Sequence, residues 1–400
     1  MRRTSVVEGS RGSAVAPRTL GGKGGPFEAP HLDIGRLLSL DAFRGITVAA
    51  MVLVNNPGTW RAVHPPLRHA EWHGWTPTDL VFPFFLFIVG VAIPLALGRR
   101  VAAGQTSSAV VVKILRRSAI IFALGLLLHA IPNFDFAALR IPGVLQRIAL
   151  CYLVAALLFL WTSWRVQVGI LVVLLVGYWA ALALIPVPGF GVGRLDPEGN
   201  LGAYIDRALL GPHIWRASRV YDPEGLLSTL PAIATTLTGV LAGHWLKAGR
   251  PRGKTVGGLL VAGLAGIVLG EIWNAWLPLN KALWTSSYAV LTAGAALLGL
   301  AALYWLVETR GHRGWTRPFV VLGVNALALF FFSSLVTRLL IVVKVHGPAG
   351  RTPLHAWLFD HLFAPWASPV NASLAYALAY LAVWLGVMWL LDRSHIRLTV

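Results

Sequence analysis

About ten apolar runs divide this chain, and each is long enough to cross a bilayer as a helix. A spanning helix needs about 20 mostly apolar residues, because it rises about 1.5 Å per residue across a hydrocarbon layer of about 30 Å. Continuous apolar runs indicate helices, because the strands of a membrane barrel would alternate apolar and polar residues. The predicted fold class is therefore all-α, a polytopic helical membrane protein with about 10 transmembrane helices. The runs are 37–56, 79–98, 113–131, 142–162, 166–186, 228–247, 255–276, 284–306, 316–343 and 370–391.

The composition agrees with a membrane protein. Hydrophobic residues make up 56% and charged residues 12% of the chain, whereas soluble domains carry about 25% charged residues. The net charge of +18 is distributed over particular loops rather than along one helix or tail, which argues against a nucleic-acid partner. Lys and Arg are concentrated in alternate connections and at both ends, so the positive-inside rule predicts cytosolic N and C termini. A single cysteine, Cys151, excludes a disulfide within the chain.

Three parts are predicted along the chain. Residues 1–35 are rich in Gly, Arg and Ser and lack an apolar core, which predicts a disordered cytosolic tail rather than a signal peptide. Residues 36–392 form a single transmembrane domain, and residues 393–400 a cytosolic C-terminal tail. Within the loop 344–369, the amphipathic run LHAWLFDHLFAPW is typical of a helix lying in the membrane interface.

Polar and titratable residues are concentrated between Asn55 and Asp79, directly before the second apolar run. The predicted topology places this segment on the outer side, together with Arg147, Asp222, Glu224, Asn280 and Lys281. Ionisable groups at membrane depth usually face a cavity or a partner. An outward polar cavity is therefore predicted.

His69 could act as a nucleophile or general base, or it could be a loop histidine near the headgroups. Asp79 fits a helix start, with Thr76 as N-cap and Pro77 at the first position, and the same carboxylate could orient an imidazole. Asn55 could stabilise an oxyanion, although Pro57 and Gly58 alone predict a turn there. No metal site is predicted, because HAEWH is not HExxH.

A second group of charges falls on the inner side. Arg44, Arg116 and Arg117 are candidates to contact the phosphates of a cytosolic cofactor. Asp41 lies three residues before Arg44, so a local ion pair is the alternative there.

The segments LSLDAFRGITVAAMVLVNNPG (38–58) and HAEWHGWTPTDLVFPFFLFIVG (69–90) resemble the heparan-α-glucosaminide N-acetyltransferase family of transmembrane acetyltransferases. The resemblance continues in order through RIPGVLQRIALCY, YDPEGLLSTLPAIATTLTGVLAG, LNKALWTSSYAVLTAG and RPFVVLGVNALALFF, and covers about Arg36 to Asp392. The combination of His-x-x-Trp-x-Gly with Asp-Leu-Val-Phe-Pro is specific. The opening LDxxRG alone is weak.

The resemblance implies an acetyltransferase that takes acetyl-CoA from the cytosol and acetylates an amine on the outer side. His69 matches the active-site histidine, Asn55 the asparagine before it, and Asp79 the aspartate that opens the second span. A bacterial-type member in the inner membrane, acting on glucosamine or a related amino sugar, is expected. Its partners would be the amino sugar or glycan end, the lipid bilayer and, as one option, a second copy of the chain. The residues expected to bind the sugar are Arg147, Asp222, Glu224, Asn280 and Lys281.

Two alternatives stay open from the sequence. A membrane O-acyltransferase that modifies a cell-envelope glycan or lipid would share the donor and the topology. A sugar transporter would use the outward cavity without chemistry, but such proteins often contain paired repeats. No repeat is evident in this chain.

Overall fold

The computed structural model describes residues 37–103, 108–347 and 350–398. The predicted N-terminal tail, 1–35, lies outside the described residues. In the part described, thirteen α-helices account for most of the chain. They are α1 (Leu38–Asn55), α2 (Val81–Ala102), α3 (Ser108–Ala130), α4 (Val144–Trp161), α5 (Trp164–Leu184), α6 (Leu201–Leu210), α7 (Thr229–Lys247), α8 (Arg252–Asn274), α9 (Ser286–Tyr304), α10 (Arg317–Val324), α11 (Ala326–Val342), α12 (Leu354–Leu362) and α13 (Pro369–Arg393).

The predicted all-α membrane fold is confirmed. Each of the ten predicted runs is helical, and within the described residues seven unbroken helices are long and apolar enough to cross a membrane. The pair α10 and α11 adds an eighth span if the two are counted together. Helices α3 and α7 have 23 and 19 residues but carry more polar groups, including Lys113, Arg116 and Arg117 on α3. The count of ten spans stays a prediction.

Helix α2 begins two residues after Asp79 and is fixed by close packing against α7. A Cβ added at Gly239 would lie 2.1 Å from the carbonyl oxygen of Phe87, and one added at Gly90 would lie 2.0 Å from that of Thr236. The two backbones therefore touch where both helices carry glycine. Small residues permit such contact between membrane helices, where van der Waals packing rather than the hydrophobic effect drives association. This packing sets the position of α2 along α7.

The predicted span 316–343 is not one helix. It breaks at Asn325, where α10 and α11 meet at an angle of 68°. The side-chain amide of Asn325 binds the segment that follows α13: its Oδ1 accepts from the N–H of Leu398 at 2.9 Å, and its Nδ2 donates to the carbonyl of Ile396. The apolar residues on both sides of Asn325 conceal this break in the sequence. As far as Leu398, the predicted C-terminal tail packs against the bundle.

A small hairpin and a short helix follow α11. Strands β1 (Lys344–Gly347) and β2 (Gly350–Pro353) pair antiparallel, and the all-α prediction did not include them. Helix α12 lies within the run predicted to be amphipathic, and its buried Phe359 packs against Tyr376 of α13 with ring centroids 6.5 Å apart. Whether α12 lies in the membrane interface stays a prediction.

Candidate active site

The candidate site is organised by the 3₁₀ turn Pro77–Leu80, which leads directly into α2. Its Asp79 side chain is 1% exposed and closes a capping box with Thr76, as the sequence predicted. One oxygen of Asp79, Oδ2, accepts from the backbone N–H groups of Thr76 and Ala70, both at 3.0 Å. The same carboxylate therefore begins the helix and holds the loop that carries His69.

His69 is oriented by the other oxygen of Asp79. Nδ1 of the imidazole lies 2.6 Å from Oδ1, a distance that requires a proton between the two atoms, so Nδ1–H donates to the carboxylate. In the neutral ring, Nε2 then carries the lone pair. The His69 side chain is 43% exposed. An oriented imidazole with one accessible basic nitrogen is the arrangement that a general base or nucleophile needs.

Lys281 is the third member of this cluster. Its Nζ lies 3.2 Å from Asp79 Oδ1 and 2.9 Å from His69 Nδ1. Because the Nδ1 proton already points to Asp79, the lysine ammonium donates to the carboxylate. Burial lowers the pKa of Lys281, and the charge of Asp79 opposes that shift. The sequence suggested Lys281 for sugar binding, whereas the structure places it against the Asp79–His69 pair.

The turn before α9 positions Lys281. Oδ1 of Asn280 accepts from the N–H of Leu283 at 2.8 Å, and the N–H of Gly74 donates to the carbonyl of Leu279 at 2.7 Å. Asn280 is fully buried, which assigns its amide a role in shaping this turn. The prediction that it binds the sugar stays a prediction.

Tyr288 holds the backbone of Asp79 in place and was not among the site residues predicted from the sequence. It is fully buried on α9, and its hydroxyl donates to the carbonyl of Asp79 at 2.5 Å. Tyr288 lies seven residues after Lys281 in the segment LNKALWTSSYAV, and this shared segment could have indicated it.

The three histidines of this loop contact different partners. His64 Nε2 lies 3.1 Å from Oδ1 of Asn371, and His73 Nδ1 lies 3.4 Å from Nδ2 of Asn280. Burial lowers the pKa of His73. His64, His69 and His73 thus point to separate hydrogen-bond partners rather than to one shared centre.

Asp222 and Glu224 both accept hydrogen bonds from Arg140, which was not among the predicted site residues. Nε of Arg140 donates to Asp222 at 2.8 Å, and its Nη2 donates to both carboxylates at 2.5 Å. Asp222 is 3% exposed. Both carboxylates therefore hold an arginine in place, and their predicted contact with a sugar remains untested.

Arg147 is fully buried on α4. Nη2 donates to the carbonyl of Gly225 at 3.1 Å and to the hydroxyl of Ser228, and the guanidinium lies 5.2 Å from the ring centroid of Trp284. Nε and Nη1 have no hydrogen-bond partner in the described part of the chain. The side chain thus joins the Asp222–Ser228 loop to Trp284 and, through it, to the turn bearing Lys281.

Asn55 ends α1 and is exposed. Within the described ranges its side chain makes no hydrogen bond to the His69 cluster, and its neighbour Asn56 is the buried one, accepting from Thr337 at 2.5 Å. Its predicted role as an oxyanion donor stays a prediction.

A cavity of about 360 Å³ extends along α2 from Phe85 to Leu97. From Asp79 to Ala96, which lines it, the chain rises about 25 Å along the helix. Arg44, Lys113 and Arg117 provide its charges, and apolar side chains such as Val89 and Ile148 form most of the wall. Leu398 also lines it.

Of the predicted phosphate contacts, Arg44 and Arg117 line this cavity, and Arg116 is exposed outside its lining. Arg44 pairs with Asp41 at 3.1 Å, as the local alternative predicted. Arg117 lies 4.9 Å from the ring centroid of Tyr152. Lys113, which the sequence reading left aside, lines the cavity with them.

The chain is similar to several known proteins. A domain of unknown function, DUF5009, matches residues 36–217. Heparan-alpha-glucosaminide N-acetyltransferase of Homo sapiens is 31% identical over 356 residues, 74% of this chain and 52% of that protein. The same enzyme of Mus musculus is 32% identical over 361 residues, 76% of this chain and 54% of that protein.

A fluoride-specific ion channel of Symbiobacterium thermophilum is 36% identical over 130 residues, 90% of its own length and 32% of this chain. That match leaves most of this chain uncovered. The two acetyltransferase matches extend over three quarters of the chain, and they confirm the family relationship predicted from the motifs. The chain spans about half the length of these two relatives.

Proposed function

From this relationship to heparan-alpha-glucosaminide N-acetyltransferase, we propose that the protein is a membrane-embedded acetyltransferase. It moves an acetyl group from acetyl-CoA to the amine of a glucosamine-type sugar. One observation carries the proposal most directly: Nδ1 of His69 lies 2.6 Å from a buried carboxylate while its ring remains 43% exposed. The related enzymes named above supply the reaction class.

The chemistry follows from the orientation of His69. An amine attacks a thioester carbonyl only when its nitrogen lone pair is free, so a proton must be removed. Nε2 of His69 accepts that proton, the bond between carbonyl carbon and sulfur breaks, and the proton leaves with the CoA thiol. In the alternative route Nε2 attacks the carbonyl first and expels the CoA thiolate. The amine then takes the acetyl group from the imidazole, and its proton goes to the thiolate. Both routes need the same free nitrogen.

Asp79 and Lys281 act through that imidazole. The carboxylate fixes the tautomer and stabilises the imidazolium that forms when Nε2 takes a proton. Lys281, 3.2 Å from Oδ1, balances the charge of Asp79 when His69 is neutral. Asn55 would support the carbonyl oxygen during attack if the acyl group approaches the end of α1.

The cavity along α2 suits the donor substrate. Arg44, Lys113 and Arg117 offer cations to phosphate groups, and the apolar wall suits an uncharged acyl-bearing arm. CoA is too highly charged to cross a bilayer, so its thioester would have to reach along α2 toward His69. We infer from the positive-inside rule that this cavity faces the cytosol and the His69 site faces outward in a bacterial inner membrane.

Purified full-length protein in detergent tests the proposal with radiolabelled acetyl-CoA, with and without glucosamine. We expect labelled N-acetylglucosamine from the wild type and a loss of about 10²–10⁴-fold in rate for His69→Ala. His64→Ala is the matched control, because His64 lies in the same loop and pairs with Asn371 instead.

Other results would replace the proposal. Label transferred to hydroxyl sugars but not to amines would establish the O-acyltransferase alternative. No binding of acetyl-CoA, together with counterflow of sugar across proteoliposomes, would establish the transporter. A His69→Ala protein that transfers acetyl groups at the wild-type rate would remove His69 from the chemistry.

A further inference from the structure

Lys281 places a primary amine inside a site that, on the proposed function, acetylates primary amines. Its Nζ lies 2.9 Å from Nδ1 of His69 and 3.2 Å from Oδ1 of Asp79. The two nitrogens of an imidazole are separated by a single carbon atom, so Nζ is also close to Nε2, the nitrogen that faces the reacting groups. A nucleophile attacks a carbonyl carbon from about 3–3.5 Å. The chain therefore carries its own amine next to the place where the acetyl group is transferred.

The backbone of Lys281 is fixed, while its side chain remains accessible. The carbonyl of Lys281 accepts from the N–H of Trp284 at 3.1 Å, and the preceding residue, Asn280, is fully buried. The Lys281 side chain is 22% exposed. The turn thus holds the amine beside the imidazole and leaves it open to an incoming acetyl group.

The charges of the cluster decide when this amine becomes a nucleophile, because a lysine attacks a carbonyl only after its ammonium has lost a proton. While His69 is neutral, the opposite charge of Asp79 holds the ammonium. When Nε2 takes a proton or an acetyl group, the ring becomes a cation that balances the carboxylate, and a second cation at Nζ is disfavoured. Burial lowers the pKa of Lys281 in the same direction. Its proton is therefore lost most easily when an acetyl group is in the site.

We propose that Lys281 is a self-acetylation site, which takes the acetyl group of acetyl-CoA when no acceptor sugar is bound. The neutral Nζ attacks the carbonyl carbon, the bond between that carbon and sulfur breaks, and the proton displaced from Nζ leaves with the CoA thiol. From an acetylated His69 the same attack breaks the bond between the carbonyl carbon and Nε2, and the proton goes to the expelled thiolate. This inference rests on the proposed function, because that function brings the donor to His69.

Acetylation removes Lys281 from the charge balance of the cluster. The nitrogen of an acetylated lysine carries no charge, so Asp79 loses the cation that balances it while His69 is neutral. The added acetyl group also takes up space beside the imidazole. We expect the modified protein to lose transfer activity, and a bound sugar to protect it by occupying that space.

Peptide mapping by mass spectrometry tests the proposal on purified full-length protein in detergent, incubated with acetyl-CoA alone. Acetyl groups should accumulate on Lys281 at least about 10²-fold faster than on Lys254 or Lys344, because the donor is held beside an amine only at Lys281. Both reference lysines are exposed, so uncatalysed reaction with acetyl-CoA favours them. Glucosamine at about ten times its KM should slow acetylation of Lys281 about tenfold, because it occupies most of the sites.

Lys281→Arg separates the modification from the charge, because a guanidinium keeps a cation beside Asp79 and does not attack thioesters. During incubation with acetyl-CoA alone, the wild type should lose activity toward glucosamine in step with acetylation of Lys281. Lys281→Arg, measured against its own initial rate, should keep its activity, and the control Lys254→Arg should lose activity as the wild type does. If Lys281→Arg itself abolishes transfer, radiolabel bound to the protein gives the same comparison and should fall to the level carried by the exposed lysines.

Each outcome bears on the inference and on the proposed function separately. Acetylated glucosamine together with a Lys281 that is labelled no faster than Lys254 and Lys344 would overturn the inference and leave the proposed function intact. Labelled Lys281 without acetylated glucosamine would support the inference and remove the sugar as acceptor. No label on either would overturn both. Loss of activity in Lys281→Arg at the wild-type rate would overturn the inference by showing that another group is the target.

Discussion

At one end of the bundle a single buried carboxylate fixes the groups around it, whereas farther along α2 three cations of α1 and α3 line an apolar cavity. Asp79 binds His69, Lys281 and the N–H groups of Ala70 and Thr76. Arg44, Lys113 and Arg117, by contrast, line the same cavity. The first arrangement depends on atomic geometry and the second on charge, so the two ends should respond differently to conservative substitutions.

Asp79→Asn should lower the rate most. The substitution keeps the shape of the side chain but removes its negative charge and one of its two acceptor oxygens. The amide cannot accept from His69, from Lys281 and from both N–H groups in the way a carboxylate does. We expect kcat to fall about 10²–10³-fold, equivalent to about 3–4 kcal/mol in the barrier. Kinetics with glucosamine and a melting curve in detergent measure it.

Asp196→Asn is the control for that variant, since Asp196 is partly exposed and pairs only locally, with Arg194. It should leave kcat unchanged. An Asp79→Asn protein with normal kcat would show that the carboxylate serves only to cap α2.

The next prediction concerns the stability of the folded protein and the residue Asp206, which binds the loop before α7. Its Oδ1 accepts from the N–H of Leu226 at 2.9 Å, and burial raises the pKa of Asp206 to about 6. The folded chain therefore binds the proton more tightly than the unfolded chain. The free energy of unfolding falls as pH rises from about 4 to about 6 and stays lower above that range, by up to about 3 kcal/mol.

Asp206→Asn should remove this penalty, because an amide can accept from Leu226 without a charge. We expect the variant to melt higher than the wild type at pH 7.5 and no higher at pH 4.5, measured by thermal denaturation in detergent. A gain of equal size at both pH values would indicate that ionisation of Asp206 is not its cause.

The smallest effect is expected at the cavity lined by Arg44, Lys113 and Arg117. Lys113→Gln combined with Arg117→Gln should raise the KM for acetyl-CoA about tenfold, about 1.4 kcal/mol, with little change in kcat. Raising the ionic strength should reduce the difference between wild type and variant. Initial-rate kinetics at two salt concentrations measure both effects.

Arg116→Gln provides a matched control on the same helix, because Arg116 is exposed outside the cavity lining. An equal rise in KM for Arg116→Gln would mean that the general basic charge of α3 attracts the donor, and that the cavity does not bind it specifically.

The sequence predicted what depends on local chemistry. The capping box of Thr76 and Asp79 follows from four adjacent residues, and the pairing of Asp79 with His69 from a separation of ten. Arg140 and Tyr288 were missed because their partners, Asp222 and Asp79, lie 82 and 209 residues away in the sequence. Such distant contacts are set by helix packing, which hydrophobic periodicity alone does not determine.

The break at Asn325 shows the same limit at a helix. An asparagine between apolar residues leaves the hydrophobic pattern continuous, so residues 316–343 were predicted as one span. The 68° bend coincides with two hydrogen bonds from Asn325 to the segment that follows α13. That segment is more than 70 residues away in the sequence, so the residues around Asn325 do not indicate the bend.

The return of the chain to Asn325 also affects how the protein is best handled in the laboratory. Leu398 lines the cavity that also contains Arg44, Lys113 and Arg117, and its N–H donates to Asn325. An affinity tag or fluorescent protein fused directly after Leu398 would begin beside the proposed donor site. Acetyl-CoA binding is therefore best measured after such a fusion has been cleaved off, with the uncleaved protein run beside it.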